Sequence, residues 1–478
     1  MWETDTKRPS GVSYGQKGEP EAYRESMAER VTYGSTVAYI HKLWIEGLQP
    51  GRTYNYRIVG PDVRSEAFAF RTTPAEANEV RFIVYGDTRT QPEVHRKLVE
   101  QMLKHPVDFI VHGGDLVTSG GSYRLWGPQF FEPLKGLVER VPIYIAKGNH
   151  EGRSGTYEKL LAPPGGGEDV VIDYGPLHYF CLDNVYNRKS GSQLVSQIAS
   201  DAQASRARWK FVSYHIPSLN FGGHRSAWQQ KGALSAFAGA GIDFVVTGHS
   251  HQYERFRPMT PPAGGSCVTY ITAGGGGAPL APVEPTPCHV CAQAVYHFCL
   301  FHIQGDRLTM DTIDDEGRMI DHLEITKRGG RLDQAYLSTA MPADDVLLCR
   351  ALCEGMKDPL SNKPEKGRPC TVSFDVTIPP LPDGVKLAFE LRGDREAYQL
   401  PQPYTTTVSA EGGKVHVKLV TTPIAAVRVP KGKLTQAVAI EPALWVDCHY
   451  EFGRTKETLS RRVTAGGNAL LRRITGGG

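Results

Sequence analysis

The chain has 478 residues, 40% hydrophobic and 22% charged, a globular composition with room for two to four domains at roughly 100–200 residues each. A formal charge of +3 is too mild for a nucleic-acid surface, and no run approaches the ~18 apolar residues of a membrane span. The nine cysteines are odd in number, so at least one is free or pairs between chains. Cys288-His289-Val290-Cys291 looks like half a zinc knuckle, but no second pair sits at the matching distance, which leaves a local disulfide or buried thiols. Cys349 and Cys353 are four apart, and either share a helix face or pair with distant partners.

Residues 1–76 read as all-β. Val31-Thr32-Tyr33, Thr36 to Ile40 and Thr53 to Val59 are rich in β-branched and aromatic residues and are separated by Gly and Pro turns. Met1-Trp2-Glu3-Thr4 reads as the middle of a strand, and no signal peptide is visible at Met1. Leu48-Gln49-Pro50-Gly51-Arg52-Thr53-Tyr54 is a turn feeding a strand and resembles the corner before a late strand of fibronectin-type sandwiches.

Residues 77–327 alternate strands with helices. The run Val80 to Tyr85 ends in Gly86-Asp87, and helical spacing follows from Val94 to Leu103. Phe109 to His112 ends in Gly113-Gly114-Asp115, and Ile143 to Ala146 leads to Gly148-Asn149-His150-Glu151. Phe211 to Tyr214 ends in His215, and Phe244 to Thr247 ends in Gly248-His249-Ser250-His251. Buried strands with polar residues at their carboxyl ends, separated by helices, predict an open α/β sheet with its site at that edge.

Residues 328–478 change character again. A helical stretch near Asp344 to Glu354 precedes Lys/Pro-rich linker sequence from Asp358 to Pro369. Alternating runs at 371–376, 386–391, 414–419 and 444–450 then predict a β-sandwich accessory domain.

The five strand-end segments supply two carboxylates, one amide and four imidazoles. Two metal ions about 3.5–4 Å apart need a bridging carboxylate and several hard or borderline ligands on each. Asp and His serve both Fe and Zn, and a neutral Asn oxygen fills a position without adding charge. His249 and His251, two apart in an extended turn, point the same way, so one imidazole reaches each metal. Ions held in this manner polarise a phosphoryl oxygen and lower the pKa of a bridging water, and the bound hydroxide attacks phosphorus in line. One Gly-Asp alone is ordinary turn chemistry; the ordered conjunction carries the inference.

Those five segments resemble the signature of the calcineurin-like metallophosphoesterases. The continuation Gln252-Tyr253-Glu254-Arg255, the fibronectin-like start, and Tyr39-Ile40-His41 with Leu48-Gln49-Pro50-Gly51 are similar to purple acid phosphatases and their bacterial relatives. The resemblance covers about residues 1–325. It implies a four-layer sandwich of two mixed sheets flanked by helices, behind a fibronectin type III-like domain over 1–76 and ahead of an accessory region over 328–478. It implies that Asp115 bridges two metals, Asp87 and His251 bind the first, and Asn149, His215 and His249 bind the second. His150 then faces the leaving group as general acid or binds phosphate. The metals implied are Fe with Zn or Mn, the native form an exported one, periplasmic or extracellular, and the partner a small phosphate ester.

The first metal is one ligand short. Many phosphoesterases place His two residues after the first Asp, where this chain has Arg89; purple acid phosphatases place Tyr three residues after the bridging Asp, where it has Thr118. His95, on the helix expected to begin beside the site, is the candidate substitute, the alternative being a helix-surface residue. Arg89 is then free to clamp a phosphate oxygen, or else pairs with Asp87 or Asp115. His224 falls near a second phosphate-contacting histidine of purple acid phosphatases, and Gly274 to Gly277 resembles their glycine run, implying close backbone approach. A phosphomonoesterase is the leading expectation. A phosphodiesterase or nucleotide hydrolase on the same scaffold comes second, and a surface-binding protein with a decayed site third.

Overall fold

A computed structural model describes residues 1–465 except 6, 8, 18–20, 34, 62–63, 162–168, 225, 261–265, 357–363, 428–437 and 453–454. Half of the expected 358–369 linker, residues 358–363, lies outside the described residues. The chain forms two units, Met1–Glu284 with Val290–Ala340, and Pro285–His289 with Met341–Gly478. The first holds both the N-terminal β region and the α/β region. No described helix is long and apolar enough to cross a membrane.

The first unit opens with two small antiparallel sheets. One orders Trp2–Thr4, Thr36–His41 and Glu29–Tyr33; the other orders Ala22–Ser26, Ser10–Gly15, Thr53–Val59 and Phe68–Arg71. Val12, Tyr14 and Tyr54 form their small core with Trp2, Leu43, Ile45 and Phe70.

Two seven-stranded mixed sheets follow. In the first, Ile143–Ile145, Phe109–His112 and Glu79–Tyr85 run parallel, and His297–Gln304, Arg307–Asp314 and Met319–Arg328 continue antiparallel. In the second, Leu177–Leu182, Trp209–Tyr214, Phe244–Thr247 and Thr269–Ala273 run parallel. The strand alternation explains the layering. Along Glu79–Tyr85, Phe82 and Val84 join the core between the sheets, while Ile83 and Tyr85 join the core on the helical side. The helix Pro92–Met102 buries His95, Leu98, Val99 and Met102 there, the spacing of one helical face. Helices Gly191–Ala204, started by a Ser190/Gln193 capping box, and Gln230–Gly239 accompany the second sheet, with Phe237 of the latter beside Tyr214.

Phe82 is the hub of the inter-sheet core. Its ring stacks on Phe109 and Phe301, each with centroids 5.0 Å away, and meets Tyr179 and Phe211 edge-on at 5.6 and 5.4 Å. Phe82→Ala should cost about 3–5 kcal/mol of stability, read by denaturant unfolding of the otherwise intact protein. A loss below about 1 kcal/mol would mean the two sheets do not share this core.

The second unit pairs Cys370–Ile378 with Gly413–Pro423 in one sheet, and sets Val385–Gly393 between Tyr404–Val408 and Leu444–Phe452 in another. Phe374 and Phe389, one from each sheet, meet with centroids 5.5 Å apart. Helix Ala343–Gly355 lies where helical spacing was expected. All nine cysteines are free thiols, including Cys288 and Cys291, so no local disulfide forms there.

Candidate metal centre

The parallel strands of both sheets end at one place. Asp87, Asp115 and Asn149 follow strands of the first sheet, and His215, His249 and His251 follow strands of the second. The loops there are strained in a consistent way. Among the described residues five non-glycine residues have positive φ, and four of them lie in these loops: Asp87 (60°), Thr90 (85°), Asp115 (58°) and His249 (68°). Such backbone persists only where its surroundings over-determine it. Here Asp87 N–H donates to Gly114 O at 2.9 Å and His249 N–H to Asp87 Oδ2 at 2.8 Å. The Gly274–Gly277 run approaches as closely as expected: a Cβ on Gly276 would stand 2.3 Å from Gly86 O, and Gly276 N–H donates to that same oxygen at 2.8 Å.

Four donors converge on one point. Asn149 Oδ1 lies 3.0 Å from both His215 Nε2 and His249 Nδ1, these two nitrogens are 3.2 Å apart, and Asp115 Oδ1 is 3.3 Å from His215 Nε2. Ligands at ~2.0–2.2 Å from one ion stand roughly 2.8–3.6 Å from each other, so these separations match the edges of a coordination polyhedron. Proton placement agrees. His215 Nδ1 lies 2.7 Å from Gly113 O, and a carbonyl only accepts, so Nδ1 carries the hydrogen and Nε2 presents its lone pair inward. Burial, followed by the adjoining His215 imidazole, pushes His249 down to about 3, which leaves it neutral and able to ligate.

A second set adjoins the first. Asp87 Oδ1 is buried without any hydrogen-bond donor and stands 3.6 Å from His251 Nε2. His251 Nδ1 donates to Pro279 O at 3.0 Å, so its Nε2 lone pair also faces the site. Burial and the Asp115 charge push the Asp87 carboxyl well above the ordinary carboxylate value. An orphaned carboxylate oxygen beside a second buried carboxylate fits a cation between them. Asp87, Asp115 and His215 each offer a ligand atom within 4.8 Å of the others.

The remaining expected residues divide. Arg89 sits inside the site, its Nε 3.3 Å from Asp115 Oδ2 and its Nη2 3.2 Å from His251 Nε2, so it pairs with Asp115. His150 is partly exposed; its Nδ1 donates to Thr118 O at 2.7 Å and its Nε2 lies 3.8 Å from Asp115 Oδ2. His224 is exposed at the rim, its ring 5.3 Å from that of His249 and 5.1 Å from that of His251. Thr118 is exposed. His95 corrects the sequence expectation, in both its forms. It is neither a ligand nor a surface residue: it is fully buried, Nε2 bonded to Tyr85 Oη at 3.0 Å and Nδ1 3.4 Å from Gln129 O. Its place on the buried face of Pro92–Met102 turns it into the core, and desolvation pushes it down to about 4.

Two positioning residues escaped the sequence reading. The buried Glu151 carboxylate accepts N–H bonds from Asp115 (3.0 Å), Leu116 (2.8 Å) and Gly148 (2.7 Å), tying two ligand loops together. Burial and the Asp115 charge push Glu151 up to about 8, against the pull of those three donors. Asn184 Oδ1 accepts from the backbone of His215 and Ile216 at 3.1 and 3.0 Å. Glu151 carried a signal, its place after Gly-Asn-His; Asn184 carried none, since its partners are some thirty residues away. A cavity of about 760 Å³, lined by Arg71, Arg81, Asp108, Arg140 and Tyr174 among others, lies at the opposite, amino-terminal strand ends. The converging donors, not cavity size, mark the site.

Residues 80–253 match the calcineurin-like phosphoesterase family and residues 1–72 the N-terminal domain of purple acid phosphatases. Purple acid phosphatase 21 of Arabidopsis thaliana is 27% identical over 302 residues, which cover 57% of this chain and 67% of that one. Acid phosphatase type 7 of Homo sapiens is 24% identical over 344 residues, covering 60% and 77%. In fold, the chain is similar to a purple acid phosphatase from yellow lupin (Lupinus luteus) seeds, with a TM-score of 0.54 and 17% identity over 67% of this chain and 70% of that one. The lone pairs gathered at the strand ends thus belong to a known scaffold: the chain carries a calcineurin-like phosphoesterase domain behind a purple acid phosphatase N-terminal domain, the two domains of phosphoester hydrolases.

Proposed function

We propose that the protein is an exported phosphatase of small phosphate monoesters working at a binuclear centre of Fe with Zn or Mn. The observation that carries the reading is the convergence of Asn149, His215, His249 and Asp115 at 3.0–3.3 Å beside the orphaned Asp87 oxygen. Asn149, His215 and His249 would hold one ion, Asp87 and His251 the other, with Asp115 placed to offer an oxygen to each side. When bound, the ions polarise the phosphoryl group and acidify a water. The chain's own residues orient and protonate. His150 keeps Nδ1–H on Thr118 O, which turns Nε2 toward the site to give a proton to the leaving oxygen or to hold a phosphate oxygen. His224 covers the rim above His249 and His251, where an anionic ester would enter.

Turnover of a chromogenic monoester and diester, each with added Mn, Zn or Fe, tests this. Monoester turnover dependent on metal supports it. Faster diester turnover replaces it with a diesterase, and silence under every metal replaces it with a decayed site. Thr118 in place of a tyrosine also makes a spectroscopic prediction. The iron-loaded protein should show no tyrosinate-to-iron charge-transfer band in the visible, and a purple preparation would refute the ligand set.

A further inference from the structure

The binuclear reading leaves Arg89 in an odd place, because its guanidinium already holds the atoms the first metal needs. We infer that Arg89 and the first metal compete for one set of lone pairs, so that Arg89 sets the occupancy of that site. The inference rests on the binuclear reading above and deepens it.

The geometry is explicit. His251 donates its Nδ1–H to Pro279 O, so its Nε2 is an acceptor, and Arg89 Nη2 stands 3.2 Å away as the donor. Arg89 Nε–H donates to Asp115 Oδ2 at 3.3 Å. The two oxygens of Asp115 are thereby divided. Oδ1 faces His215 and accepts the His150 N–H at 2.9 Å, while Oδ2 belongs to the Arg89 side. Only Asp87 Oδ1 is left without a donor. A guanidinium has five donors, no acceptor and a charge it does not lose. It therefore contributes no ligand atom, occupies two of the lone pairs a first-site ion would take, and repels that ion.

The backbone limits how far Arg89 can retreat. Its N–H donates to Asp115 O at 3.3 Å, and its neighbour Thr90 holds a φ of 85°. Entry of a first ion therefore means rotation of the side chain, not withdrawal of the loop. The donors of Asn149, His215 and His249 have no such competitor, since they face each other and not a cation. Sequential loading follows: second site tight, first site weak, with Arg89 released from Asp115 and His251 only as the first ion enters.

The test is calorimetric titration of the purified protein with Mn²⁺, with the spin-coupled manganese signal as a second readout. Wild type should take one tight equivalent and a second bound at least ~10-fold more weakly. Arg89→Ala, and Arg89→Gln as a neutral variant that keeps N–H donors, should each tighten the second equivalent by ~10-fold or more and strengthen the coupled signal. Asp87→Asn in the Arg89→Ala background should remove that gain. A second equivalent no tighter in either Arg89 variant overturns the competition. Two equally tight equivalents in wild type overturn it as well and leave the binuclear reading standing. No Mn²⁺ binding by any of the proteins overturns the binuclear reading itself.

Discussion

Asp115→Ala should strip the protein of metal and of turnover together. Asp115 is 1% exposed and serves both donor sets, Oδ1 at 3.3 Å from His215 and Oδ2 on the Arg89 side. Residues that merely orient a metal ligand typically cost ~10–100-fold in affinity when removed, so a shared ligand should cost more than ~100-fold. The substitution also removes the acceptor of the His150 N–H, a change that could disturb the loop. Asp115→Asn keeps an oxygen for that bond, removes the charge and sets an NH2 in place of the oxygen that accepts from Arg89. Metal analysis after dialysis should therefore show loss in both variants, with unfolding midpoints of the metal-stripped proteins close together. Full metal content in Asp115→Asn would mean that Asp115 is a structural carboxylate and that the centre lies elsewhere.

His150→Ala should do the opposite, leaving metal content intact while lowering kcat by ~10²–10⁴-fold, the usual span for a positioned proton donor. Its side chain makes one bond outside the site, to Thr118 O, and is partly exposed, so truncation leaves no buried polar atom unpaired beyond that carbonyl. The split between the two roles is readable. A general acid acts on the leaving group, so a monoester with a good leaving group should lose less than one with a poor leaving group. A phosphate-binding histidine should raise KM for both alike. Unchanged kinetics with both esters would remove His150 from the reaction.

These two variants separate holding the metal from using it, and the positions that matter for each were readable to different degrees. Asp87, Asp115, Asn149, His249 and His251 follow apolar runs ending in Gly, His215 directly follows its strand, and the structure places all six at one edge of two sheets. Short local signals sufficed there, because a strand end needs only a few residues to declare itself. His95 went the other way. A histidine at the start of a helix beside the site looked like a spare ligand, yet its spacing with Leu98, Val99 and Met102 puts it on the buried face, where Tyr85 and Gln129 take both ring nitrogens. The helical pattern was visible in the sequence, but whether that face turned to the site or to the core depended on how the helix docks on Ile83 and Tyr85.

The amino-acid sequence by itself determined the order of strands and helices and the inventory of candidate ligands, because burial periodicity and turn residues are local properties, whereas the division into two facing sheets came only through the family resemblance. Only the tertiary structure decided what those ligands face. Asn184 supports His215 across thirty-one positions, Glu151 joins the loops of Asp115 and Gly148, and Arg89 reaches His251 across 162. Hydrogen bonds over such separations depend on the register in which two sheets meet, which no local pattern encodes. That is why the deficit at the first metal was legible as missing residues, while the cation standing among that site's lone pairs was not.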